Sequence, residues 1–188
     1  MKKGLKMKEE YKILNDMGYS NDKIDTLLSL GYTIKDILKI NRKTNIIATY
    51  SNKSIIDKFN YLLSLGFSKI ETISITTICP QIYCYKQDSI KTKFDNLMSL
   101  GYTYEEVKIM IINYPAILNT SLEYIKEKIE FYNSIGLHNV LIKDTSHLIT
   151  SLSLVYARYM FLKGKDVTID EKSYRKLFMR SKQFQKKY

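Results

Sequence analysis

The sequence predicts an all-α protein, an α-solenoid of about four helical repeats of 35 residues each. Glycines recur at Gly31, Gly66, Gly101 and Gly136, always inside the same short motif. Between them, apolar residues return every three or four positions, the spacing of a helix with one buried stripe. Only 2 Pro and 7 Gly interrupt the 188 residues, too few turn-formers for a sheet protein.

The glycine motif reads Leu28-Ser-Leu-Gly-Tyr-Thr33, Leu63-Ser-Leu-Gly-Phe-Ser68, Met98-Ser-Leu-Gly-Tyr-Thr103 and Asn133-Ser-Ile-Gly-Leu-His138. A helix ends on Leu or Ile, and Gly takes the left-handed position just beyond it. Tyr32, Phe67 and Tyr102 sit where an aromatic ring packs back onto that helix. Thr33, Ser68 and Thr103 then open the next helix, with Asp36, Glu71 and Glu106 three positions later to complete a capping box. A weaker copy, Asp16-Met-Gly-Tyr-Ser20, precedes the first repeat as a partial capping unit.

Within each unit the first helix is short, running through Ile37 and Ile40, Ile73 to Ile78, or Val107 to Ile112. Pro80 and Pro115 share one register and end it, with Asn45 at the equivalent place in the earlier repeat. A single apolar turn follows (Ile46-Ile47, Ile82-Tyr83, Ala116-Ile117-Leu118). The second helix is longer and carries the buried stripe, through Ile55, Phe59 and Leu62, then Ile90, Phe94 and Leu97, then Ile125, Ile129 and Tyr132. No unit can bury that stripe alone, so the units must stack.

Ser151-Leu152 matches Ser121-Leu122 at an offset of 30, so the last unit is contracted by five residues. After Gly164, residues 170–184 read as a basic C-terminal capping helix. The expected organisation is a single domain: 1–30 as N-terminal partial repeat, 31–162 as repeats, and 163–188 as basic cap. No segment is long and apolar enough to span a bilayer. The start lacks the apolar core of a signal peptide. Cys79 and Cys84 cannot form a disulfide framework, which suits a reducing compartment.

The order Leu-Gly-Phe-Ser-x-x-Glu, apolar helix, Pro-x-Ile-Leu, then Ser-Leu-x-x-Ile-x-x-Lys resembles the repeat of the mitochondrial transcription termination factor (mTERF) family, in its short bacterial-type form. Residues 99–131 match best, with Gly101, Pro115, Leu118, Ser121, Leu122 and Lys128 in place, and the likeness extends over 14–185. Departures are Asn45 for Pro, the contracted final unit and a short chain. The resemblance implies a curved solenoid, right- or left-handed, whose basic concave face binds double-stranded DNA or RNA. It implies a role in transcription or RNA metabolism. It also allows action through a protein partner, so the alternative is a protein–protein interaction scaffold without direct nucleic-acid binding. The expected compartment is the bacterial cytoplasm, or a mitochondrion or plastid for a eukaryotic source, and the expected state is a monomer.

The net charge of +11 points to a polyanionic partner. Residues 163–188 alone hold nine Lys or Arg against Asp166, Asp170 and Glu171. Lys58, Lys93, Lys128 and Arg158 occupy one register on the second helix of four successive units. Two readings stay open for that register: a line of cations tracking phosphates, or a solvated edge beside Glu123 and Glu127. Arg175, Lys176, Arg180 and Lys182 of the basic tail are further candidates for phosphate contact, or they solubilise a cap packed through Leu177, Phe178 and Phe184. Cys79 and Cys84 have no His nearby, and His138 and His147 lie far along the chain, so neither metal nor cofactor is expected. No phosphate-cradling glycine loop, H-E-x-x-H or nucleophile with its base occurs, so no enzyme is expected.

Overall fold

The computed structural model describes the backbone of residues 2–188 and the side chains from Met7 onward. The described residues form twelve α-helices and no strand. In chain order these are α1 (Lys2–Asp16), α2 (Asn21–Ser29), α3 (Ile34–Lys43), α4 (Ile46–Thr49), α5 (Asn52–Ser64), α6 (Lys69–Ile78), α7 (Gln87–Ser99), α8 (Tyr104–Asn113), α9 (Leu122–Ser134), α10 (His138–Lys143), α11 (Leu152–Lys163) and α12 (Ser181–Lys187). Short 3₁₀ turns fall at Pro80–Cys84, Pro115–Asn119, Thr145–Ile149 and Tyr174–Phe178. The chain divides into two compact units, one ending at Ile90 and one spanning Lys91–Tyr188. The expected N-terminal cap of residues 1–30 includes Met1 and five further side chains that lie outside the described residues.

The glycine ladder stops helices as its motif predicts. Gly31 has φ of +100°, its N–H donates to Leu28 O, and the next N–H, of Tyr32, reaches back to Leu27 O at 3.1 Å. This pair of bonds is the Schellman closure. A side chain at Gly31 would also meet Lys69 Cε at 2.5 Å. Gly18, Gly66, Gly101 and Gly136 share the positive φ. Tyr32, Phe67 and Tyr102 are buried, as a helix-stop aromatic should be.

Thr33, Ser68 and Thr103 then cap α3, α6 and α8, each in a complete capping box with Asp36, Glu71 or Glu106. Those reciprocal bonds pull the Asp36 and Glu106 carboxyls below their ordinary values, against the opposing effect of partial burial at Asp36. Pro80 and Pro115 begin the 3₁₀ turns, where a missing N–H costs nothing. Ser51, Ser121 and Ser151 cap the long helices α5, α9 and α11. In the first unit, Ile24, Leu27, Ile37, Ile40, Ile47, Ile55 and Phe59 join one core with Tyr19 and Tyr83. In the second, Ile125, Ile129, Tyr132, Leu148, Val155 and Leu162 are buried.

One expectation needs correction. Residues 170–184 are not one helix: a 3₁₀ turn at Tyr174–Phe178 precedes α12, and Met179 between them is extended with ψ of 150°. The break buries Leu177 and presents its carbonyl to Arg158. Gly164, the C-cap of the last long helix, has φ of −67° rather than the positive φ of the ladder glycines. Asp166 instead takes the left-handed position at φ of +56°, with Asp166 N bound to Lys163 O and Val167 N to Leu162 O. Asp166 stands 30 residues after Gly136, the same contracted offset as the rest of that unit.

Candidate nucleic-acid interface

Lys58, Lys93, Lys128 and Arg158 lie on α5, α7, α9 and α11, on the edge of the stripe that also holds Ile55, Phe59, Ile90 and Phe94. That position buries them. Their relative exposures are 8 %, 8 %, 4 % and 6 %. A buried ammonium must be hydrogen-bonded, because an unpaired one in a packed interior is costly.

Each finds a backbone carbonyl. The Lys58 ammonium donates to Tyr85 O and the Lys93 ammonium to Thr120 O, both 27 residues onward. Lys128 donates to Leu148 O at 2.6 Å and stands 3.7 Å above the centre of the Tyr124 ring. Arg158 donates to Leu177 O at 2.9 Å and to Ser181 Oγ at 3.2 Å. Burial lowers the pKa of Lys58 and Lys93, with Cys84 and Glu123 respectively opposing, and burial lowers that of Arg158.

The acceptors Tyr85 and Thr120 sit where the chain leaves a 3₁₀ turn to enter the next long helix. Lys58 and Lys93 therefore each tie one long helix to the approach of the next, and Lys128 and Arg158 reach carbonyls inside the 3₁₀ turns Thr145–Ile149 and Tyr174–Phe178. All four charged ends of the register are bonded within the chain, and Lys128 also lines a cavity with Glu123 and Glu127.

A fifth member escaped the sequence reading. Lys23 on α2 is 5 % exposed and donates to Tyr50 O, again 27 residues onward. Its position 35 residues before Lys58 was the available signal. The first helices are tied in a related way. Lys43 donates to Ile78 O at 2.6 Å and Thr77 O at 3.2 Å, and Asn113, two repeats later, donates to Ile142 O at 2.9 Å.

The tail candidates are placed differently. Arg175, Arg180 and Lys182 are exposed and Lys176 is half-buried. The Arg175 side chain is 80 % exposed while its Nε donates to the Tyr174 hydroxyl at 3.2 Å. Lys163, Lys165, Lys172, Lys186 and Lys187 are also exposed. In the first unit a second basic surface lines a groove of about 560 Å³ between α3 and α6, where Lys39, Arg42 and Lys43 face Ile70, Ile73 and Ile78.

The repeated architecture decides the relationship: the mTERF family profile matches residues 6–185. The chain belongs to the mTERF family. No curated protein matches it. The match covers nearly the whole mTERF-like chain, including the contracted last unit and most of α12. Among the described residues of this mTERF protein, no helix is long and apolar enough to cross a membrane. Among the described residues, no group of three or more His, Cys, Asp and Glu is placed to hold a metal ion. Cys79 is buried and Cys84 exposed, both as free thiols.

Proposed function

We propose that this protein is a non-catalytic, nucleic-acid-binding α-solenoid of about four mTERF repeats, and that its exposed tail cations contact phosphate. Family membership supports the ligand class. The observation that carries the assignment of residues is the division of the basic side chains into two sets. Lys58, Lys93, Lys128 and Arg158 spend their donors on the chain's own carbonyls. Arg180 and Lys182 are exposed, with half-buried Lys176 beside them, while exposed Arg175 shares its donors with the Tyr174 hydroxyl and the Asp144 carboxylate.

Phosphate contacts of this kind give affinity without reading sequence, and each releases condensed counterions. Affinity for a duplex should therefore fall steeply as salt rises. The test is fluorescence anisotropy with duplex DNA, duplex RNA and single strands across a salt series. Arg180→Glu with Lys182→Glu should weaken binding and flatten the slope of log K against log salt by about 2 for a duplex. An unchanged slope would remove these residues from the interface. Absence of salt-sensitive binding to every nucleic acid would leave the scaffold reading in its place.

A further inference from the structure

The helix α6 is apolar on two sides. Thr72, Ile75 and Thr76 are buried, with Thr76 bonded to the Tyr32 hydroxyl. A second row, Ile70, Ile73, Ser74, Thr77 and Ile78, follows the spacing i, i+3, i+4, i+7 and i+8 and lines the groove against α3. Beyond Glu71 the helix carries no charge. Ile70 is 81 % exposed and Ile78 49 %. Val140, four residues past Gly136 as Ile70 is past Gly66, is only 4 % exposed. A helix apolar on all sides is built to be covered, and the two ends of this row are not.

The opposite wall of the groove is basic. α3 places Lys39, Arg42 and Lys43 along it, all exposed, and Lys35 and Lys69 are exposed on the same two helices. The bonds from Lys43 to the Thr77 and Ile78 carbonyls hold its charge at the C-terminal end of the apolar row. The acidic groups of α3 and α6 are Asp36 and Glu71, both engaged in capping boxes at the helix starts, and Asp36 also stands 3.8 Å from Lys39. The groove therefore sets an apolar wall about 12 Å long against a cationic one. A phosphate backbone would satisfy the cations and leave the isoleucines in water. An uncharged apolar surface would cover the isoleucines and desolvate the cations. An apolar stripe flanked by carboxylates satisfies both walls.

We infer that the α3–α6 groove receives an acidic amphipathic helix of a partner protein, its apolar stripe on Ile70, Ile73 and Ile78 and its carboxylates against Lys39, Arg42 and Lys43. Helix-in-groove docking uses anchors at i, i+3, i+4 and i+7, the spacing of the α6 row itself. The net charge of +11 favours a separate, acidic partner over a second copy of this chain. The groove uses none of the tail cations assigned to phosphate.

Fluorescence anisotropy on the full chain provides the test. The probe is a labelled helical peptide with leucines at i, i+3, i+4 and i+7, glutamates along one flank and alanines elsewhere. A twin peptide has lysines in place of the glutamates. The glutamate peptide should bind saturably, at least about tenfold more tightly than the lysine peptide. Ile70→Ser with Ile78→Ser changes exposed positions, so circular dichroism stays unchanged while peptide affinity falls about tenfold. Lys39→Glu with Arg42→Glu should reverse the preference between the two peptides, a readout that misfolding would not give. The tail variant Arg180→Glu/Lys182→Glu should bind the peptide as the wild type does, so the two surfaces stand or fail separately. Absence of saturable binding at millimolar peptide, indifference to Ile70→Ser/Ile78→Ser, or an unreversed preference overturns the inference. So does displacement of the peptide by duplex together with lost duplex affinity in Lys39→Glu/Arg42→Glu, which would assign the groove to nucleic acid.

Discussion

At the residue scale, a cation's role here follows from where its donors end. Lys93 is buried and donates to Thr120 O, whereas Arg180 is exposed to solvent. Lys93→Met keeps much of the volume but leaves the partly buried Thr120 carbonyl without its donor, and should lower stability by about 1 kcal/mol in chemical denaturation. Asp166 is the opposite case. It holds φ of +56°, a conformation that strains a residue with a side chain, at the place where the repeat calls for glycine. Asp166→Gly should raise stability by up to about 1 kcal/mol and the melting temperature by a few degrees. No gain would mean that Asp166 makes a compensating contact in the native state.

At the scale of elements, the capping boxes and the C-terminal cap each make a prediction. Thr103→Ala removes the oxygen that accepts from Glu106 N and should cost about 1 kcal/mol. The cap is fastened at His147, whose ring stacks on Phe178 with centroids 3.6 Å apart, beside Tyr174 and Asp144. Burial lowers the His147 pKa from 6.5 and Arg175 lowers it further, against Asp144, which raises it. The folded state therefore prefers the neutral ring. Its contribution is complete above about pH 6.5 and is lost as pH falls below that value, where the unfolded chain takes up the proton first. His147→Phe should flatten this part of the stability profile, followed by thermal melts from neutral pH downward.

The helix stops and starts were legible in the sequence because their causes are local. Gly31, Thr33 and Asp36 lie within six residues, and their bonds close within one turn. The fate of Lys58 was not legible, because its acceptor is a carbonyl 27 residues away that only folding brings near. Periodicity located the register but not the direction in which it points. Lys23 stands on the helix that the Gly31 motif ends, 35 residues before Lys58, but that helix has nine residues against thirteen in α5. The break before α12 was hidden because the Leu177 carbonyl is needed by Arg158, a demand invisible to helix propensity.

At the scale of the whole molecule, the +11 charge is shared between two tasks. Five buried cations fasten helices to one another, and the outward cations of residues 163–188 are those the proposed function assigns to a polyanion. The measurement that separates the tasks compares Lys58→Met/Lys93→Met with Arg180→Glu/Lys182→Glu, reading denaturant stability and salt-dependent duplex binding on the same samples. The account predicts that the first pair loses stability while binding duplex with an unchanged salt slope, at a temperature where it is folded. It predicts that the second pair keeps its stability and loses affinity and slope together. Folded Lys58→Met/Lys93→Met protein with a reduced slope would contradict it, returning the repeat register to the nucleic-acid interface.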